Sequence, residues 1–595
     1  MVINRRDHAP MVVLTVLAGA LYTWGLSRGE PHGYYSAAIT SMSESWFNFF
    51  FGAFDPSGAI TTDKLPGSLW VHALFARVFG TESWALLLPE VLAATLTVPL
   101  LMAAVRRWAG GRAALIAGLA MLASPVVFTA AQVNLPDTLL MFTLVAATYA
   151  MVRALDGGWP WLVASGALIA VAFHMKMLQA WMIVPALGLT YLLCAKGSTR
   201  TRWLGATLFG GVALVLSLSW MTIVSLIPAG SRPLVDGSES SSIWETVFLY
   251  NGISRGGDNE MTSIVLQFGG APGVGRMFNQ QIATQVSWLI PLALLALAGG
   301  LFMSRNRSRQ YLSGWVLWGS WLVIGLIAFS ALTGVHPYYT SMLAPAVAAL
   351  VGTGIARAHA AWRARRPGGW LLPAGLAVTA LWSIVLLFRE PADDLAWLPA
   401  VIAVAAVLAL TFLIPQRISD ARPLALAVTG LGLVTLLLAP AIWLLATPTI
   451  NENSSRTISP VAGPPSYQSL RGERTRDGQD ELLLKFLRTH HRGERFLFAT
   501  GASSAAAPYI RARVSVLPLS GFSSTAPSVP VAELAHLVAD RQVRYVLAMT
   551  QSTTGPARER TEWLRGHCAP INPAIYGGPP RVGPWSSTLY DCRAS

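Results

Sequence analysis

At 595 residues, with 53% hydrophobic and 12% charged side chains and a mean hydropathy of +0.50, the chain falls far short of the roughly 25% charge a soluble domain carries. Lipid must cover what charge cannot, which suits a large membrane bundle plus one accessory domain. The net charge of +14 is spread as arginines between apolar stretches, not gathered on one face, so it marks membrane topology and argues against a nucleic-acid partner.

About thirteen apolar segments are long enough to cross a bilayer: near 10–27, 83–105, 113–131, 136–153, 159–175, 179–195, 203–228, 284–303, 311–332, 339–357, 369–388, 395–414 and 424–446. The first follows MVINRRDHAP and shows no small-residue cleavage site, so it reads as a span and not a signal peptide. With a cytoplasmic N-terminus, the inner loops hold Arg5 and Arg6; Arg106, Arg107 and Arg112; Arg153; Lys196, Arg200 and Arg202; Arg305, Arg307 and Arg309; Arg363, Arg365 and Arg366; Arg417 and Arg422. Every inner loop is then basic, as the positive-inside rule requires, and a miscount by one span would break the alternation. An odd number of spans places the C-terminal region outside. The expectation is a multi-pass protein of the cell membrane, its C-terminal domain extracytoplasmic.

Two outer loops are long. Residues 28–82 contain SWFNFFFGAF and SLWVHALFARVFG, aromatic-rich pieces too short to span and suited to helices lying in the interface. Residues 229–283 are rich in Gly, Ser and Asn. Long outer loops over minimal inner ones put any chemistry on the outer side. The tail begins with the Pro- and Ser-rich linker NENSSRTISPVAGPPSYQ. DELLLKFLRTHH and VAELAHLVADRQ then read as helices, RFLFAT and VRYVLAM as strands. The predicted fold class is an α-helical polytopic membrane domain over 1–447 followed by a small extracytoplasmic α/β domain over 448–595. Cys568 and Cys592 fall in that domain, where an oxidising compartment would allow a disulfide, whereas Cys194 lies at the inner face.

Ionisable residues at membrane edges are functional candidates. Glu30 follows the first span; Asp55 and Asp63 lie in AFDPSGAITTDKLPGSLW with Lys64 beside Asp63; Asp137 opens the fourth span; Lys176 ends the fifth; His336, Tyr338 and Tyr339 stand in GVHPYYTSMLAP. Each has a plainer reading. Asp137 also suits a helix N-terminus, Asp55 before Pro56 a turn, Lys176 snorkelling, and the aromatics an interfacial belt. Yet all fall on one face of the bilayer. Carboxylates beside cations suit transfer from a phosphorylated donor: a carboxylate takes the proton of an acceptor hydroxyl, and lysine or arginine offsets the charge on the departing phosphate. A lipid-linked donor would reach such a site from the membrane.

The runs YYSAAITSMSESWFNFFFGAFDPSGAITTDKLPGSLW, FHMKMLQAWMIVPAL, SRPLVDGSESSSIWETVFLYNGISRG and HPYYTSMLAPA, with ERFLFATGASSAAAPYI, LSGFSSTAPSV, VRYVLAM, HCAP and LYDC in the tail, resemble YkcB-like bacterial glycosyltransferases. These belong to the protein mannosyltransferase and aminoarabinose transferase group of the GT-C superfamily. The resemblance implies transfer of a sugar from a polyprenyl-phosphate donor to a cell-envelope acceptor, without a cofactor or metal. It implies a catalytic set of Asp63, Glu30 and Asp137, the base being either Asp63 or Glu30. It further implies substrate contacts by Lys64, Tyr34, Tyr35, Lys176, Gln179, Arg232, Asn251, Arg255, His336, Tyr338 and Tyr339. The sequence departs from the family pattern at DKLP, where DKPP is usual, at the single Glu30-Pro31 after the first span, and at NLPD ahead of Asp137. A lipid-linked sugar flippase and an inactive scaffold with a partner-binding tail are the rival readings. The first would want inverted repeats and mid-membrane polar residues, and the sequence offers neither.

Overall fold

The computed structural model describes the chain apart from residues 1–8, 253–267, 305–306, 391, 418–420, 451–454, 470–478, 523–528, 550–554, 577–586 and 594–595. Helices occupy all thirteen predicted apolar segments. Among the described residues, ten helical stretches, from Ala9–Leu26 to Arg422–Leu445, are long and apolar enough to cross a membrane. The others are shorter, broken or less apolar, for reasons visible in the chain. The predicted 113–131 segment breaks into Gly111–Leu122 and Pro125–Ala130 because Ser124 is extended ahead of Pro125, a conformation the proline ring favours in its predecessor. The predicted 179–195 segment divides into Leu178–Trp181 and Val184–Cys194, with Pro185 in the first turn of the second, where a missing N–H costs nothing. The helix Trp159–Lys176 stops at Met177, which has φ +48°. A bulky residue in that region is strained, and strain of this kind clusters at functional sites.

The bundle turns small and aromatic side chains inward, with Trp315, Trp318, Trp321 and Trp443 fully buried, and leaves Val215, Leu226, Phe388 and Val407 exposed on its outer surface. That arrangement needs an apolar solvent around it. Over one end lie three helices of the first long loop: Gly33–Glu44, Trp46–Phe51 and Gly67–Phe79. The last buries Leu69, His72, Ala73 and Ala76 and exposes Leu74, Val78 and Phe79, alongside exposed Trp46, Phe47 and Trp84. An apolar outer stripe on a helix too short to span is the pattern of an interfacial helix. A short bridge between Ala53 and Thr61 closes the first long loop on itself, and one between Ile60 and Leu234 joins it to the second.

Beyond Leu445 the chain builds a five-stranded sheet: β1 (Phe498–Thr500), β2 (Val516–Pro518), β3 (Tyr545–Met549), β4 (Ala569–Pro570) and β5 (Ser587–Asp591), in the order β2-β1-β3-β5-β4. β1 pairs parallel with β2 and β3, while β5 runs antiparallel between β3 and β4. The predicted helices appear at Gln479–His490 and Val531–Ala539, and the RFLFAT strand is confined to its last three residues. Cys568 and Cys592 are disulfide-bonded, with Cα atoms 4.4 Å apart, closing the β5 end of the sheet. The helix Ser503–Arg511 packs against Gly33–Glu44, and Phe498, Tyr509 and Ile510 join the same hydrophobic core as the bundle.

Candidate active site

Two carboxylate–lysine pairs lie at the long loops. Asp137 is the first residue of the helix Asp137–Ala154, and Lys176 is the last of Trp159–Lys176. These helices pack side by side, so the start of one meets the end of the other. Lys176 Nζ donates to Asp137 Oδ1 at 2.5 Å, with side-chain exposures of only 7% and 1%. The ammonium also sits 3.5 Å from the Tyr339 ring centroid and 5.2 Å from that of Tyr338, a cation–π contact that supports a charge withdrawn from water. Gln179 braces this wall, donating to the Tyr339 carbonyl at 3.2 Å and contacting Met342 Sδ at 3.3 Å.

The second pair comes from the loop. Lys64 Nζ donates to Asp63 Oδ2 at 2.7 Å and lies 5.2 Å from the Tyr35 ring. Asn251 Nδ2 donates to the Asp63 carbonyl at 2.7 Å, so the second long loop holds the first in place. Each carboxylate thus gives one oxygen to a lysine. The other oxygens, Asp63 Oδ1 and Asp137 Oδ2, are buried without a hydrogen-bond partner among the described residues. A buried acceptor left open is expensive, and a site that must receive a proton is a reason to keep one. Burial, and next the charge of Lys64, pushes His32 down to about 4, so this imidazole stays neutral beside the lysine.

A third carboxylate, Asp236, went unnoticed in the sequence. Its Oδ2 accepts from Tyr34 Oη at 3.4 Å and from the Phe522 backbone N–H at 2.7 Å, and its Oδ1 accepts from Gly237 N–H at 2.7 Å. Burial and the neighbouring Asp63 push it up to about 7. The Phe522 ring meets Tyr34 edge-on, with centroids 4.9 Å apart. Gly521 passes so close that a Cβ there would lie 1.9 Å from Asp236 Oδ1, so only glycine fits. The sheet-bearing part of the chain therefore supplies one wall of the cluster. In sequence, Asp236 lies in the long loop rich in Gly, Ser and Asn, where nothing local marks it as a site residue.

Other predicted residues fall further out. Glu30 lies with its Oε1 3.6 Å from Arg511 Nη2, facing the Ser503–Arg511 helix. Asp55 is a turn residue: its carboxylate accepts from the Ser57 hydroxyl and from the backbone N–H groups of Ser57, Ala59 and Ile60. Among the described residues Arg232 bonds within its own loop, to the Ile227 carbonyl and Ser241 Oγ, each at 3.4 Å, and not to either pair. His336 contacts Ser459 Oγ at 3.2 Å and lies 5.2 Å from Tyr338, ring to ring. Arg255 lies outside the described residues. Among the described residues no group of three or more His, Cys, Asp or Glu side chains is placed to hold a metal ion. A buried pair, Glu90 and His72 at 3.1 Å, was also missed, although a carboxyl inside an otherwise apolar span is itself a signal.

A helical bundle with buried carboxylate–lysine pairs at its two long loops has the fold of a membrane protein of the GT-C type. ArnT from Cupriavidus metallidurans has the same fold: its apo structure aligns with a TM-score of 0.54 and 17% identity over 97% of both chains. The same enzyme bound to undecaprenyl phosphate aligns at 0.54 and 17% over 99% of both. Residues 63–221 match the model for dolichyl-phosphate-mannose-protein mannosyltransferase, and residues 483–567 the model "Putative mannosyltransferase YkcB-like, C-terminal". Two Bacillus subtilis (strain 168) proteins are each 30% identical: "Putative mannosyltransferase YycA" over 97% of this chain and 96% of its own, and "Putative mannosyltransferase YkcB" over 94% and 91%. The chain belongs to the YkcB-like family of membrane glycosyltransferases.

Proposed function

We propose that this glycosyltransferase moves a mannose-like hexose or a pentose from a polyprenyl-phosphate donor to an extracytoplasmic cell-envelope acceptor, whether glycan, lipid or protein. The observation that carries the reading is the pairing just described: two buried carboxylates, each tied to a lysine through one oxygen and open at the other. Asp63 is the base. Its Oδ1 takes the proton of the acceptor hydroxyl while the hydroxyl oxygen bonds to the anomeric carbon. The bond from that carbon to the donor phosphate breaks, and its electron pair leaves with the phosphate. Lys64 and Lys176 offset the charge gathering there. Asp137 fixes Lys176 and orients the reacting groups.

Glu30 is the weaker candidate for base because it faces a cation of the tail, and we assign it to holding Arg511. The ArnT structure with undecaprenyl phosphate supports a lipid-linked donor. Basic loops at the opposite end of the bundle support a cytoplasmic N-terminus, with residues 448–595 on the outer side. The test is transfer by the purified protein in nanodiscs, from a panel of radiolabelled polyprenyl-phosphate monosaccharides to a cell-envelope extract. Consumption of one donor by wild type and its loss in Asp63→Asn is the expected result. Binding of labelled lipids with no donor consumed would overturn the reading in favour of lipid handling.

A further inference from the structure

Glu90 is the eighth residue of Ser83–Ala109, a helix long and apolar enough to span a membrane. Both it and His72 are fully buried, and His72 Nε2 lies 3.1 Å from Glu90 Oε1. A carboxyl group at such a place is costly unless neutralised, and the side chains that persist there are rarely idle. His72 Nδ1 lies 2.8 Å from the Ser68 carbonyl oxygen. A carbonyl can only accept, so Nδ1 carries a hydrogen and Nε2 faces the carboxyl.

The location of the pair matters more than its charge. His72 is on the helix Gly67–Phe79, which starts three residues after Lys64. The start of that helix is pressed against the end of Trp159–Lys176: a Cβ on Gly67 would lie 2.5 Å from the His174 carbonyl oxygen, two residues before Lys176. On its other side Glu90 faces the Thr138 side chain, next to Asp137. The pair therefore stands in close contact among the elements that carry Asp63–Lys64, Asp137 and Lys176.

We infer that Glu90, acting through His72, is a positioning residue that sets the spacing between the two carboxylate–lysine pairs. This rests on the transferase reading and adds a residue to it. Asp63 and Lys64 sit on a loop, and a loop alone holds a reacting group too loosely for proton transfer. A displacement of about 1 Å at the chemistry costs about a hundredfold in rate. Donor affinity, supplied by many contacts along a long lipid, should be far less sensitive.

The experiment compares Glu90→Ala, Glu90→Gln and the double variant Glu90→Leu/His72→Leu with wild type in nanodiscs, reading kcat, equilibrium donor affinity and thermal denaturation. Glu90→Ala should lose about a hundredfold in kcat with donor affinity nearly unchanged. Glu90→Gln keeps an N–H to offer Nε2 and should recover to within about threefold of wild type, as expected when geometry rather than charge is what is lost. The double leucine variant removes both buried ionisable groups, so it keeps the fold even where Glu90→Ala does not. It should still be slow. Wild-type kcat in the double leucine variant, or a Gln variant as impaired as Ala, overturns the inference. Absence of transfer by wild type overturns the transferase reading and this inference with it.

Discussion

Two aspartate–lysine pairs in this chain use the same chemistry at opposite ends of the bundle. Lys176 and Asp137 are 2.5 Å apart and almost wholly buried, at 7% and 1% exposure. Lys196 and Asp156 are 3.3 Å apart, at 72% and 46%, and Asp156 is shared with Arg107 at 2.6 Å. Water screens the second group, and an exposed pair contributes about 0–1 kcal/mol. The first pair is withdrawn from water, and removing one partner of such a pair costs about 3–5 kcal/mol. Charge at the exposed end costs little to keep. Charge at the buried end is held at a cost that only chemistry or specificity would sustain.

That contrast is sharpest at Asp63. Asp63→Asn should lower transfer by about a thousandfold, within the range for loss of a general base, with labelled donor still bound. The contrast itself breaks if Lys176→Met proves harmless. This variant should lose about 3–5 kcal/mol of stability as well as activity, whereas Lys196→Met should lose less than about 1 kcal/mol, both read by denaturation in nanodiscs.

A smaller effect concerns Asp236, whose carboxyl is raised from 3.8 to about 7 in the folded chain. Between those values the folded state holds a proton that the unfolded state has released, so the stability it confers declines as pH rises and is gone above about 7. Wild type should therefore lose more stability between pH 5 and pH 8 than Asp236→Asn does. The smallest effect is expected at Glu30. An ion pair at 3.6 Å with a partner 26% exposed is worth at most about 1 kcal/mol, so Glu30→Gln should retain activity to within about fivefold. A loss as deep as that of Asp63→Asn would move the base to Glu30.

Much of this was legible before any coordinates. Apolar runs separated by arginines placed the spans, because lipid and water sort residues so strongly that composition alone records the sorting. Asp137 and Lys176 stood out as ionisable residues at span ends. Their bond, made across 39 residues of chain, had no local signal. Glu90 was passed over because its partner His72 lies 18 residues upstream, in a segment read separately as interfacial. The sheet was only partly legible. β2 and β4 are three and two residues long and include Pro518 and Pro570, too short for alternation to register and carrying a residue that argues against strand. Asp236 was invisible as a site residue because its meaning depends on Phe522, 286 residues away.

That separation has a consequence in time. A ribosome makes Asp236 long before it makes Gly521 and Phe522, so the wall they form is absent while the bundle is being made. Until then Asp236 lacks the backbone N–H of Phe522. The enzyme is completed by its own tail.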